Sequence, residues 1–267
     1  MEPLTKEVII IITTIVALFI LGFGVGTFGT LVGIGGGIIL IPIFVLIMHY
    51  TPQQAVGTSL TIVFLNAISG TYAYIKQKKV YYDAAIKFAI ATVPGAFLGS
   101  YLVEYFTGAS FRLTFGIFLM FIAVVMFLRS SSKAANTEFD KETFTYNRTL
   151  GILVSSGVGF LSSILGIGGG VIHVPIMIYI LGFPTHVATA TSHFVLAVSS
   201  FFGVTSHLIL GNVLLLPAIT IGLGAIAGAQ FGAALSLKTK SKSIIVLLSL
   251  ALFGLGLRLA LTANQII

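Results

Sequence analysis

Charge is what this chain has least of. Among 267 residues only 14 are Lys or Arg and 7 are Asp or Glu, 8% in all, where a water-soluble domain carries about 25%. A surface facing water cannot be assembled from so few, and 57% of the chain is hydrophobic. A soluble enzyme, a disordered regulator and a nucleic-acid binder are excluded on this ground. Cysteine is absent, which removes disulfides, thiol redox chemistry and Cys-ligated metals without defining a compartment. The signatures HExxH and GxSxG are missing, so an intramembrane enzyme has neither a zinc site nor a nucleophile turn to stand on. No cofactor is expected. No Asp or Glu lies deep in an apolar stretch, which argues against a cation pathway lined by carboxylates.

What is present reads as an all-α polytopic membrane protein. Apolar segments run approximately over 8–32, 38–49, 53–75, 81–106, 111–128, 149–165, 171–182, 185–209, 213–236 and 243–262. A helical span needs ~20 apolar residues, and Ile38–His49 and Val171–Gly182 have only 12 each. At ~1.5 Å per residue these reach about 18 Å into a ~30 Å hydrocarbon core. Each follows a glycine cluster and contains a proline, Pro42 or Pro175, so broken or re-entrant helices are expected there. The polar stretch Arg129 to Arg148 divides the chain into an N-terminal transmembrane repeat (1–130), a linker (131–148) and a C-terminal repeat (149–267).

The halves are copies. At an offset of 133 residues, Gly33-Ile34-Gly35-Gly36-Gly37 falls on Gly166-Ile167-Gly168-Gly169-Gly170, Pro42 on Pro175, and Thr58-Ser59 on Thr191-Ser192. Gly70, Val80, Gly95 and Gly99 fall on Gly203, Val213, Gly228 and Gly232. A shared apolar background does not align glycine clusters, a proline and a Thr-Ser pair at one offset. Lys6 followed by Val8–Leu21 could pass for a signal peptide. Gly24-Val25-Gly26 matches the internal Gly157-Val158-Gly159, so the first helix is expected to belong to the repeat.

Basic residues set the orientation. Lys76, Lys78 and Lys79 mark one loop as cytoplasmic, and its counterpart, Ile209 to Asn212, is uncharged. Lys238, Lys240 and Lys242 mark another whose counterpart, Tyr105 to Ser110, has no basic residue. Two inverted repeats of about five helical elements each are expected, with a cytoplasmic linker and both termini outside.

Inverted repeats with short interrupted helices in matching positions point to a secondary transporter's binding site. A glycine-rich break at depth must line a polar cavity or be buried in protein. It exposes the first N–H groups of the following helix at the positive end of its dipole, a ready anion site. Candidate site residues are therefore Gly35, Gly36, Gly37, Thr58, Ser59 and Asn66 in the first half. In the second they are Gly168, Gly169, Gly170, His173, Thr191, Ser192 and His193. The two histidines stand where the first half has Leu40 and Leu60, and an imidazole can carry a proton or donate to an anion. His49, His186 and His207 read as interface residues. Asp83 and Lys87 read as a local pair, and Gln230 as a cavity residue or a cross-helix bond. Gly22, Gly24, Gly26 and Gly95 read equally as helix-packing positions.

The doubled glycine-cluster and proline pattern, Gly33–Pro42 and Gly166–Pro175, followed by the Thr-Ser pairs, resembles the TauE/SafE sulfite exporter family. The resemblance covers essentially the whole chain. It implies alternating-access transport of small sulfur-containing anions (sulfite, sulfonate, sulfoacetate or thiosulfate type) across a prokaryotic plasma membrane, with protons as candidate coupling ions. It leaves the substrate, direction and oligomeric state open. A carboxylate or other organic-anion carrier and a passive anion channel remain as alternatives.

Overall fold

Ten α-helices carry the chain in a computed structural model that describes residues 2–129, 144–236 and 242–263. The first five are α1 (Glu2–Val32), α2 (Gly37–Leu46), α3 (Pro52–Lys76), α4 (Tyr82–Leu102) and α5 (Gly108–Arg129), with a 3-10 turn at Val103–Tyr105 between the last two. The second five are α6 (Arg148–Leu165), α7 (Gly170–Tyr179), α8 (Thr185–Ile209), α9 (Leu215–Leu235) and α10 (Lys242–Leu261). Adding 133 to the bounds of α2, α3 and α4 returns those of α7, α8 and α9. No strand occurs among the described residues. Seven helices there are long and apolar enough to cross a membrane, whereas α2 and α7, with 10 residues each, are not. Most of the linker and the loop carrying Lys238 and Lys240 lie outside the described residues.

The packing obeys the duplication. Helix α1 lies along α9, and its equivalent α6 lies along α4. Both interfaces are glycine seams. A Cβ on Gly22 would sit 1.9 Å from Ile221 O, and one on Gly224 2.1 Å from Phe19 O. On the other seam a Cβ on Gly95 would lie 2.3 Å from Ser156 O, and one on Gly159 2.2 Å from Thr92 O. Helices without side chains at the seam bring their backbones together and gain dispersion contacts that lipid cannot supply. Of the four glycines read equally as packing positions, Gly22, Gly26 and Gly95 serve this end. A Cβ on Gly24 would meet nothing within 4 Å.

At the centre, α3 crosses its own equivalent α8. Gly70 abuts His193, the Phe64 and Phe201 rings lie tilted with centroids 5.7 Å apart, and Gly203 abuts Leu60. As one helix advances the other retreats, so the pair is antiparallel. Helices α5 and α10 meet the same way, with Gly116 against Ala260 and Gly256 against Met120.

The glycine seams generate a prediction. Gly22→Leu and Gly224→Leu should each destabilise the protein by ~3 kcal/mol or more, read as a lower melting temperature in detergent. Gly24→Ala should leave it unchanged. Equal melting temperatures for all three variants would remove the seams from the account.

Candidate functional site

Helix α1 ends where Gly33 turns left-handed (φ 84°), and α6 ends at Gly166 (φ 69°). The chain then passes through Gly35 and Gly36 (φ 78° and 86°) or Gly168 and Gly169 (φ 80° and 79°) before the short helix begins. Side-chain-bearing residues avoid this region. Close approach adds a second demand. A Cβ on Gly37 would lie 2.5 Å from Gly166 O, and one on Gly170 2.3 Å from Gly33 O. The two breaks thus pack directly on each other, backbone to backbone.

The short helices start with uncovered amides. Ile39 and Leu40 are the first in α2 to donate to a carbonyl, both to Gly36 O, and Ile172 and His173 repeat this on Gly169 O. The N–H groups of Gly37, Ile38, Gly170 and Val171 have no intrahelical acceptor. Neither helix has a side-chain cap, since the N-cap residues are Gly36 and Gly169.

Beside the second break lies a small cleft lined by Gly168, Gly169, Gly170 and His173, by Ser192 and Ser199 of α8, by Thr92 of α4, and by the apolar Val158, Val195 and Leu196. Ser192, Ser199 and His173 are 1%, 2% and 2% exposed. Even so, Ser192 Oγ, Ser199 Oγ and His173 Nδ1 have no hydrogen-bond partner. Buried polar groups are normally paired, and these three line the cleft without a protein partner. His173 Nε2 is engaged by Ser155 Oγ at 3.1 Å, and Thr92 Oγ1 donates to Ala89 O at 2.6 Å. No Lys or Arg lines the cleft.

The remaining candidates are distributed elsewhere. Thr58 Oγ1 accepts the Leu214 N–H at 3.1 Å, and Thr191 Oγ1 accepts the Tyr81 N–H at 3.0 Å. Each threonine therefore caps the long helix of the opposite half only in the sense of accepting the N–H of the residue that precedes it, Leu214 or Tyr81. Ser59 donates to Gly166 O at 2.7 Å. Asn66 accepts from Thr30 Oγ1 at 3.1 Å and donates to Gly35 O at 3.3 Å. His193 Nε2 lies 3.3 Å from Thr30 Oγ1, beside Tyr74, on the side of α8 that faces the first half. Thus His173 and Ser192 reach the cleft whereas His193 does not. Gln230 donates to Ser69 across the α9–α3 interface. His207, read as an interface residue, is fully buried and sits 3.3 Å from Asn212 Nδ2.

Thr92 and Ser199 escape a repeat-based reading because their counterparts, Ala225 and Asn66, are different residues. Their signal was a polar residue at helical spacing from Ser192 or Gly95.

On the flank of the cleft, Phe88 stands edge-on between His173 (5.4 Å) and Tyr146 (5.7 Å). Beyond it is a charged rim. Asp83 pairs with Lys87 as expected, receives the Tyr146 hydroxyl at 2.8 Å and lies 3.6 Å from Arg148. Burial, and then the hydrogen bond to that carboxylate, raise the Tyr146 phenol above its ordinary value. Burial lowers the Lys79 ammonium, in the loop before α4.

These features define a multi-pass helical membrane protein with a polar cleft at a helix break. Comparison with known proteins narrows this. The Sulfite exporter TauE/SafE family model matches residues 18–259, and the chain belongs to that family of membrane transporters. It is 37% identical over 242 residues to the probable membrane transporter protein YunE of Bacillus subtilis, covering 84% of this chain and 89% of that one. A probable membrane transporter protein of Methanocaldococcus jannaschii, MJ0441, is 34% identical over 198 residues, 72% of this chain and 71% of its own. No solved structure matches significantly.

The cross-half caps are testable. Thr58→Val and Thr191→Val should each cost ~1 kcal/mol of stability, by thermal melting, and by similar amounts because their surroundings are equivalent. A loss confined to one of them would show that the caps are not equivalent.

Proposed function

We propose that the protein is a secondary transporter of small sulfur-containing anions, of the sulfite, sulfonate, sulfoacetate or thiosulfate type, working by alternating access across a prokaryotic plasma membrane. One observation carries the reading: uncovered amides at the start of α7 adjoin a cleft whose buried serine hydroxyls have no protein partner. Hydroxyl and amide hydrogens at the positive end of a helix are the donors an oxyanion needs. Family membership supports the transport of anions in general.

The two repeats are proposed to be inverted, 1–130 against 149–267, with the 131–148 linker cytoplasmic and both termini outside. The antiparallel crossing of α3 with α8 supports this, because repeats related by an axis along the membrane normal bring equivalent helices together in the same sense. Rocking of one half against the other about the glycine contact would expose the cleft to each side in turn. Protons are the proposed coupling ions, through His173 or His193.

Proteoliposomes loaded with sulfite, methanesulfonate, sulfoacetate, thiosulfate, sulfate or a small carboxylate test the reading, each with and without a pH gradient. Saturable movement of at least one sulfur anion is expected, accelerated by the gradient. Ser192→Ala should slow it about tenfold, as expected when a hydrogen bond to a charged group worth ~1.5 kcal/mol is lost. Transport confined to carboxylates would replace the substrate class. A conductance indifferent to the anion and without saturation would replace the carrier with a channel.

A further inference from the structure

The duplication gives every residue of the cleft a counterpart in the first half, where the side chains are engaged differently. Each lining residue has a counterpart 133 positions away: Gly35, Gly36 and Gly37 for the glycines, Ala225 for Thr92, Leu40 for His173, Ser59 for Ser192 and Asn66 for Ser199. The backbones are alike, with the same left-handed glycines and the same uncovered amides. The side chains are not alike.

In the first half the two polar residues at the equivalent positions, Ser59 and Asn66, are spent internally. Ser59 Oγ is bonded to Gly166 O. Asn66 is fully buried, and in either orientation of its amide it is bonded, to Thr30 and Gly35 or, turned over, to Thr30, Gly26 and Ala225. Leu40, fully buried, offers no polar atom. In the second half the equivalent atoms have no protein partner: Ser192 Oγ, Ser199 Oγ and His173 Nδ1, joined by Ser162 Oγ, which stands where the first half has Gly29. A Cβ on Gly169 would lie 3.4 Å from that Ser162 hydroxyl, so it borders the same break.

Resting on the anion-carrier reading, we propose that each chain holds one oxyanion, in the second-half cleft alone. Its donors are the hydroxyls of Ser162, Ser192 and Ser199 with the first amides of α7, and the first-half copy is sealed by Asn66 and Leu40. Ser199 is then a specificity-determining residue. Its replacement by the larger, self-satisfying asparagine converts an open copy into a closed one. The fold already accommodates that side chain in the equivalent surroundings of Asn66, so the substitution is a graft from one half to the other.

The test is calorimetric titration of the full chain in lipid nanodiscs with sulfite, methanesulfonate and thiosulfate in separate runs, alongside thermal melts. The wild type should bind at least one of them at close to one equivalent per chain. Ser199→Asn should bind it at least tenfold more weakly with its melting temperature kept. Ser192→Ala, which only removes atoms, should weaken it about tenfold and decides the matter should the asparagine variant not fold. Two equivalents per wild-type chain, or wild-type affinity in the folded variants, would overturn the single-cleft assignment and leave the carrier reading standing. Absence of binding by all three probes would overturn both.

Discussion

In hydrocarbon a peptide N–H without an acceptor costs several kcal/mol, and that constraint shapes everything at the centre of this protein. Two helices are interrupted at matching positions, and neither interruption is exposed to lipid. Each is covered by the other, with Gly37 on Gly166 and Gly170 on Gly33. Such closeness is open only to glycine, and three consecutive glycines twice over let two backbones turn left-handed and touch. The uncovered amides that remain are gathered at the starts of α2 and α7, where the structure either consumes the surrounding polarity or leaves it available.

Around this contact the halves are interlocked rather than merely adjacent. Helix α1 packs on α9 and α6 on α4, so each half's first helix rests on the other half's fourth. The threonine caps follow the same exchange, Thr58 on Leu214 and Thr191 on Tyr81. These bonds respect the pseudo-symmetry. Departures from it include the side chains beside the glycine breaks, where His173 stands for Leu40 and Ser199 for Asn66.

Much of the architecture could be read from residues alone because duplication leaves a register. The offset of 133 anticipated the bounds of α7, α8 and α9, and twelve-residue apolar runs after glycine clusters anticipated helices too short to span. The site was less legible. Thr58 and Thr191 looked like ligands because they recur, yet recurrence equally marks a structural bond repeated in both halves, and here it marks a cap. Ser199 and Thr92 do not recur and were passed over, although both line the cleft. Depth along a helix can be read from hydropathy, but rotation about its axis is set by partners distant in sequence. For that reason His193 could not be told from His173, nor the buried His207 from an interface residue.

The exchanged caps bear on how the molecule is made. The amide of Tyr81 has its acceptor on Thr191, a residue 110 positions further along. During synthesis the leading half therefore leaves the ribosome before the group that completes its fourth helix exists. Its seam glycines likewise await the trailing half. The five leading helices can be inserted in order, but their final arrangement is deferred until translation is nearly finished, and a chain truncated midway would offer the membrane quality-control machinery a half without its counterpart.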